Sequence, residues 1–306
     1  MTHPSMLRRL VRRPLTLLAA AAAALAAAPL RAQRPAAASS SATDSLPTTT
    51  RLSANTYLFA APTGNVVVGA GGAVVVGVQA ASLTPRLRAA IAKVSATPVR
   101  FVVATAGRGA PAEGAAGWGK TGALVVMHEN LARAVRRAAT GATVAADVVP
   151  GEGFSEVVQL FFPDEEVHVV HQPAGYSDAD VSAHLEHANV LYLGSFTTDG
   201  YPAIDLDRGG TIDGLVATAT AFLDFPATVR LVPGRGPVAT TRELRAYRDM
   251  LAAVRDRIVP LVKAGRPLPA VLAARPTAAY DARWGHGPVS STEFVTAVYR
   301  SLGGKP

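Results

Sequence analysis

Residue types that bind metals or transfer protons are concentrated between positions 171 and 187 of the sequence. The candidates are His171, Asp178, Asp180, His184 and His187. Imidazole and carboxylate groups are common zinc ligands. A count of ligands without a matched geometry is weak evidence, however, because a turn followed by a strand with outward polar residues gives the same pattern. A metal site formed by His171, Asp178, His184 and His187 therefore stays an open alternative.

A second candidate is the phosphate-binding pattern G-x-x-x-x-G-K-[ST], which residues 114–121 satisfy. In such a loop the backbone amides and the lysine hold nucleotide phosphates, and a helix directly after the loop completes the anion site. Here eight residues separate Thr105 from Gly114, and residues 123–127 are a strand-like run. We interpret the glycines as a loop that turns the chain tightly. Nucleotide binding would need a helix after Thr121.

The segment RFVVATAGRGAP at residues 100–111 is an apolar strand that ends in a threonine and enters a Gly-rich loop. Its flanks are residues 69–78, residues 117–128, the segment LYLGSFTTDGYPAIDLDRGG and the segment VPGRGPV. In this order and spacing, the segments resemble the metallo-β-lactamase fold family over roughly residues 55–302. The resemblance implies an α/β fold, a four-layer αββα sandwich with a C-terminal helical extension. The activity that it implies is that of a zinc-dependent hydrolase.

The zinc ligands of that family are absent at every corresponding position. The family strand ends in T-H-x-H-x-D-H, and its four ligand positions fall here on Ala106, Arg108, Ala110 and Pro111. The later ligand positions fall on Tyr176, Ser195 and Arg235, and the Asp that usually follows the early valine strand is Gly77. None of the first four side chains can ligate a divalent metal. Because every one of these ligand positions is replaced, we expect no metal, no cofactor and no catalytic residue in the pocket that they would line.

The replacing side chains suggest a different use of the pocket. Two of them are arginines, whose guanidinium groups form bidentate bonds to carboxylate or phosphate, and two carry hydroxyl groups that could add a contact. The predicted ligand-binding residues are Arg108, Tyr176, Ser195 and Arg235. Our hypothesis is a non-catalytic protein that binds a small anionic ligand or a partner. The alternatives are arginines that only fill the cavity, paired with Asp178 or Asp180, and a hydrolase with a relocated metal or a metal-free mechanism.

The pattern of hydrophobic residues predicts the strands and helices that must position these residues. Alternating or unbroken apolar runs predict strands at 55–59, 65–68, 73–78, 99–105, 143–149, 157–162, 167–171, 190–194 and 229–232. Helices are predicted from Thr84 as N-cap, over 130–139 and 211–223, and after two capping boxes. The boxes are Thr240 with Glu243, followed by an apolar stripe to Leu261, and Ser290 with Glu293.

The amino-terminal residues and the charge limit the classes of function. Residues 1–32 carry five arginines, no acid and an apolar run, which is typical of a cleavable signal peptide for Sec or Tat export, with an uncleaved anchor as the alternative. Removal of this segment lowers the formal net charge from +8 to +3, which gives no indication of nucleic-acid binding. We expect a periplasmic or secreted protein without a membrane span after cleavage.

The rest of the sequence divides into three predicted parts. Residues 33–50 are rich in Ala, Ser, Thr and Pro, the composition of a flexible spacer. Residues 51–239 are predicted to form the metallo-β-lactamase-like domain. Residues 240–306 are predicted to form a helical extension packed on that domain.

Overall fold

A computed structural model describes residues 47–61, 64–105, 111–139 and 153–305 of the chain. The predicted signal peptide, the strand predicted at 143–149 and Arg108 lie outside the described residues. The strands are β1 (Thr48–Arg51), β2 (Tyr57–Ala61), β3 (Gly64–Gly69), β4 (Val74–Val76), β5 (Phe101–Ala104), β6 (Leu124–His128), β7 (Gly153–Phe154), β8 (Val157–Phe162), β9 (Glu165–His171), β10 (Val181–Leu185), β11 (Val190–Tyr192) and β12 (Arg230–Val232). The helices are α1 (Thr84–Ile91), α2 (Pro111–Gly119), α3 (Glu129–Ala139), α4 (Ile212–Phe222), α5 (Thr241–Lys263), α6 (Leu268–Ala273), α7 (Asp281–Trp284) and α8 (Ser291–Ser301).

The first sheet contains seven strands in chain order, from β1 to β7. Strands β1 to β4 are antiparallel, and β4 to β7 are parallel. The structure differs here from the predicted spacer, since residues 48–50 belong to β1, where Thr48 pairs with Ala60 of β2. The reason is that three consecutive threonines carry β-branched side chains, which favour an extended strand.

The second sheet contains five strands in the order β12-β11-β10-β9-β8. Strands β8 to β11 are antiparallel, whereas β12 is parallel to β11 because α4 forms the crossover between them. In the β9–β10 pair, His168 lies opposite His184, and His171 lies opposite Val181. Cross-strand partners point to the same side of a sheet. The even-numbered residues of these two strands therefore share one face, and the odd-numbered residues share the other.

Apolar side chains fill three cores that define the layers. Val103 of β5 and Val169 of β9 belong to the core between the two sheets. Trp118 of α2 belongs to a core that also contains side chains of α1, α3 and the first sheet. Leu251 of α5 belongs to a core that joins α4, α5 and α8 to the second sheet. The layer order helix, sheet, sheet, helix confirms the predicted αββα sandwich, with helices at the carboxyl end of the chain.

Helix α2 overturns our interpretation of the Gly-rich segment as a loop. Residues 114–119 lie within α2, and strand β6 follows the pattern where a phosphate-binding loop would require a helix. The nucleotide alternative is therefore wrong. The glycines permit close packing instead, since a Cβ at Gly117 would lie 2.9 Å from Thr84 Oγ1 and a Cβ at Gly114 would clash with the carbonyl of Gln79.

Helix α1 begins one residue earlier than the sequence predicts. Thr84 is its first residue, and Leu83 is the N-cap without a side-chain hydrogen bond. The prediction of Thr84 as N-cap is wrong because a 3-10 turn at Ala81–Leu83 leads directly into the helix.

The carboxyl-terminal helices have the capping boxes and the buried apolar stripe that the sequence predicts. Both capping boxes, Thr240 with Glu243 and Ser290 with Glu293, are present in full. The predicted stripe of α5 is buried at Leu244, Tyr247, Leu251, Val254 and Ile258, and partly buried at Leu261. Within the described residues, no helix combines the length and the apolar character needed to cross a bilayer.

Candidate functional site

Three of the four predicted ligand-binding residues lie in loops that follow strands of the second sheet. Tyr176 lies between β9 and β10, Ser195 follows β11, and Arg235 follows β12. The loops adjoin each other, because the Arg235 N–H donates to the carbonyl of Phe196 at 3.3 Å. The fourth residue, Arg108, lies outside the described residues. The fold therefore brings Tyr176, Ser195 and Arg235 to the same edge of the second sheet.

Asp180 organises the first part of this site. Its carboxylate is buried and accepts hydrogen bonds from the Tyr176 N–H at 2.7 Å, the Ser177 N–H at 3.2 Å and the Ser177 hydroxyl at 3.1 Å. The Ser195 hydroxyl adds a fourth bond at 3.2 Å. Burial raises the pKa of Asp180 to about 7, although the four donors act in the opposite direction. Both carboxylate oxygens are thus occupied by donors of the protein itself.

Tyr176 is held by a residue that the sequence analysis missed. Arg208 donates from Nη2 to the Tyr176 hydroxyl at 2.9 Å, and its guanidinium lies 5.2 Å from the centre of the tyrosine ring. Its Nε also donates to Asp205 at 2.7 Å, and these contacts raise the pKa of Arg208 despite partial burial. The spacing of three residues between Asp205 and Arg208 was the feature of the sequence that could have identified Arg208. Tyr176, which the sequence resemblance matches to a family histidine, is thus a buried phenol bonded to an arginine.

Arg235 forms an ion pair with a different acid from the ones that the sequence suggested. Its Nη2 lies 3.3 Å from an oxygen of Asp199, not beside Asp178 or Asp180, and about a third of each side chain is exposed. The alternative of pairing with Asp178 or Asp180 is therefore wrong for Arg235. Beside Asp199, the buried hydroxyls of Thr198 and Tyr247 have no hydrogen-bond partner among the described residues.

The family Asp position at Gly77 is closed by a neighbouring ring. Gly77 has a φ of 97°, and a Cβ there would lie 2.7 Å from the Tyr192 hydroxyl. That hydroxyl donates to the carbonyl of Asn65 at 3.0 Å. Burial raises the pKa of Tyr192 to about 12, so the phenol is neutral at ordinary pH, and a bond with Thr105 acts in the opposite direction. An acidic side chain at Gly77 would thus compete with a buried, bonded phenol.

The described residues that the sequence resemblance matches to the family's conserved site positions do not fit zinc. Tyr176 is engaged by Arg208, and Ser195 donates to a carboxylate. Arg235 presents a guanidinium, which has no lone pair to offer a metal, and Gly77 has no side chain. We therefore derive no reaction step through zinc at this pocket.

The cluster of histidines and acids predicted as an alternative metal site is not brought together. His171 and His184 lie on opposite faces of the second sheet by their strand register. His171 stacks on His128, with ring centres 3.8 Å apart, and its Nε2 lies 3.0 Å from the backbone carbonyl of Asp178. His187 is exposed beyond the end of β10. Among the described residues, the one group of three possible ligands whose atoms lie within 4.8 Å of each other is Glu166, His168 and Glu186.

The geometry of two facing sheets with helices on both outer sides, and loops gathered at one edge, is that of the metallo-β-lactamase fold. A solved structure, a metallo-β-lactamase from Pontibacter korlensis, is similar to this chain with a TM-score of 0.55 and 14% sequence identity. The similarity covers 67% of this chain and 99% of the other. Neither a protein-family model nor a curated protein matches the sequence. The likeness establishes the fold, and the activity must be argued from the residues.

Proposed function

We propose that this chain is a non-catalytic protein of the metallo-β-lactamase fold, whose pocket binds a small anionic ligand in place of zinc. The observation that carries the proposal is the occupation of Asp180 by four donors of the protein, one of them the Ser195 hydroxyl. A carboxylate must offer a lone pair to bind a metal or to act as a base. At Asp180, Oδ1 accepts three of these bonds and Oδ2 one, so the carboxylate serves mainly to hold the loops together.

Arg235 is the residue that we assign to the anion. Its guanidinium is partly exposed and, within the part of the chain that the structure describes, contacts the carboxylate of Asp199 at 3.3 Å, which is also partly exposed. Such a pair is weak in water, so a phosphate or carboxylate that offers two oxygens can replace it. The Thr198 hydroxyl lies at the same turn, since a Cβ at Gly236 would be 3.1 Å from its Oγ1, and it has no hydrogen-bond partner among the described residues. It supports a polar ligand, because a buried hydroxyl without a partner is unfavourable.

The other predicted residues take different parts in this proposal. We assign Arg108 the part of a second cation from its position in the sequence alone. Tyr176 and Ser195 form the wall, since the first accepts a bond from Arg208 and the second donates to Asp180. We further propose that the protein works in the periplasm or after secretion, on the basis of residues 1–32.

Thermal unfolding in the presence of anions tests the binding part of the proposal. The probes are inorganic phosphate, citrate and acetate, each at constant ionic strength. At a ligand concentration about 100 times its Kd, binding adds about 2.7 kcal/mol of stability, or a rise in Tm of several degrees. We expect this rise in the wild type and its loss in Arg235→Ala.

Arg248→Ala is the matched control, because Arg248 also pairs with an aspartate, Asp249, but on the surface of α5. An equal response of Arg235→Ala and Arg248→Ala would overturn the assignment of Arg235. No response of the wild type to any of the anions would favour the alternative in which arginine only fills the cavity.

Hydrolysis assays test the second part of the proposal, that the protein is not catalytic. A chromogenic β-lactam and a chromogenic phosphodiester are suitable substrates, with zinc supplied in excess and a metallo-β-lactamase as positive control. We expect no turnover above the zinc-only background. Zinc-dependent turnover that Arg235→Ala or Ser195→Ala alters would refute this part, independently of the binding result.

A further inference from the structure

An unassigned cluster of possible metal ligands lies on the outer face of the second sheet. Nε2 of His168 is 3.4 Å from a carboxylate oxygen of Glu166 and 3.5 Å from one of Glu186. The His168 side chain is 29% exposed, and the two glutamates are 38% and 51% exposed. The cluster is thus reached from solvent. From these residues we infer that the chain binds one divalent transition-metal ion such as zinc at Glu166, His168 and Glu186.

Two adjacent strands fix the positions of the three side chains. Glu166 and His168 alternate along β9, so both point to the same face of the sheet. Glu186 directly follows β10, and its N–H donates to the carbonyl of Glu166 at 3.0 Å, which places the two glutamates across from each other. Sites built on paired strands are held more rigidly than sites on loops. Glu166 and His168 lie on β9, and Glu186, in the turn after β10, is tied to β9 by its backbone bond. The three ligands therefore converge without a rearrangement of the backbone.

The separations fit a metal ion. In a tetrahedral zinc site with bonds of about 2.0–2.2 Å, neighbouring ligand atoms lie roughly 3.3–3.6 Å apart. The separations of 3.4 and 3.5 Å from His168 to the two glutamates match that spacing. They are longer than ordinary hydrogen bonds between charged groups, which measure about 2.7–2.9 Å. The 3.4 Å contact is still within hydrogen-bond distance, and all three ligand atoms lie within 4.8 Å of each other, so one ion can reach all of them after small shifts of the side chains.

The charges of the cluster also favour a cation. Two glutamates that face each other across an antiparallel pair repel and destabilise the sheet. A protonated His168 would neutralise one of them, whereas a divalent ion neutralises both. The remaining tetrahedral position is left for water, as in zinc sites with three protein ligands.

The neighbours of His168 keep its ring in place. His184 lies opposite His168 on β10, and the two ring centres are 6.4 Å apart in an edge-on arrangement. His184 in turn packs edge-on against Phe225, at 5.1 Å. A ring that is already oriented loses less freedom when it binds a metal. The mixed nitrogen and oxygen ligands favour zinc, cobalt or copper over magnesium and calcium.

Metal titration of the purified full chain, without a polyhistidine tag, tests the inference. Calorimetry with zinc and the visible absorption of bound cobalt are the two readouts. We expect one ion per chain in the wild type, a Kd at least tenfold higher in His168→Gln and in Glu186→Gln, and no saturable binding of magnesium. Urea unfolding without metal checks that each variant is folded.

Two histidines provide matched controls. His187→Gln changes the residue next to Glu186, and His171→Gln changes a residue of the same strand as His168 on the opposite face. Both should bind zinc like the wild type. Zinc binding that survives in His168→Gln but is lost in His171→Gln would overturn the inference and locate the metal toward the pocket. Absence of one-to-one zinc binding in the wild type would also refute the inference. Glu166, His168 and Glu186 would then form only ion pairs with each other.

Discussion

Protonation of Asp180 is expected to control how the stability of this protein depends on pH. The carboxylate is buried, and burial raises its pKa from 3.8 to about 7 in the folded chain. In the unfolded chain the group is solvated and returns to its ordinary value. Between these two values the folded state therefore binds more protons than the unfolded state. Linkage then requires that stability fall as pH rises through this window.

The size of the effect follows from the difference between the two pKa values. A difference of one pKa unit corresponds to about 1.4 kcal/mol, so the shift of Asp180 from 3.8 to about 7 corresponds to roughly 4 kcal/mol. This contribution of Asp180 to the free energy of unfolding is fully present below pH 3.8 and is lost above about pH 7.

Asp180→Asn removes this titration while keeping the shape of the side chain. The amide oxygen can still accept bonds from Ser177 and Ser195, but the amide nitrogen would face the Tyr176 N–H, which now donates to Asp180 Oδ2 at 2.7 Å. Two facing donors leave one buried group without a partner, which costs about 1–3 kcal/mol at every pH. The variant thus has a constant penalty and no titration of its own.

Urea unfolding of the wild type and Asp180→Asn at several pH values from about 4 to 8 separates the two effects. Other titrating groups affect both proteins and cancel in the difference between their unfolding free energies. We expect the advantage of the wild type to shrink by roughly 4 kcal/mol across the range. A difference that stays constant would refute the raised pKa, and a difference that grows with pH would mean that the four donors outweigh burial.

Three further predictions concern the packing around the sheets. Gly77→Asp should destabilise the fold by roughly 2–5 kcal/mol in urea unfolding, because it combines a left-handed backbone with a clash against Tyr192; wild-type stability would mean that the pocket opens readily. Leu251→Ala, at a fully buried position of α5, should lose about 2–5 kcal/mol, measured by the same method, and a loss below about 1 kcal/mol would contradict its place in the core. Burial and the neighbouring His171 lower the pKa of His128, so stability should fall as pH drops below about 6.5, and His128→Gln should reduce this acid loss; an unchanged acid loss would contradict the assignment.

The parts of the fold that the sequence predicts are those with strong local signals. The alternation in β8 and β9, and the stripe and capping box of α5, depend on residues a few positions apart. Helix α2 was missed because Gly114 and Gly117 weaken the local helical signal. Their role is visible only beside Gln79 and Thr84, which lie about thirty residues earlier in the chain. Tertiary packing therefore overrides local propensity in this segment.

The candidate sites were only partly predictable for the same reason. Arg208 and Tyr176 are 32 residues apart, and nothing local joins them. In the metal cluster, the predicted strand at 167–171 contains His168 but not Glu166, which the structure adds at the start of β9. Glu186 joins them only through the pairing of β9 with β10, which the sequence does not reveal.

The different positions of the two candidate sites on the second sheet make the two proposals independent of each other. His168 lies on the outer face with the possible metal ligands, whereas His171, three residues later on the same strand, faces the first sheet and stacks on His128. The cluster lies toward the start of β9 and just past the end of β10, whereas Asp180 lies in the loop that joins the other ends of these two strands and Arg235 follows β12. Metal content alone would then be a misleading sign of hydrolase activity in this protein. Zinc-dependent turnover would support a hydrolase only if variants at the pocket, and not His168→Gln, abolished it.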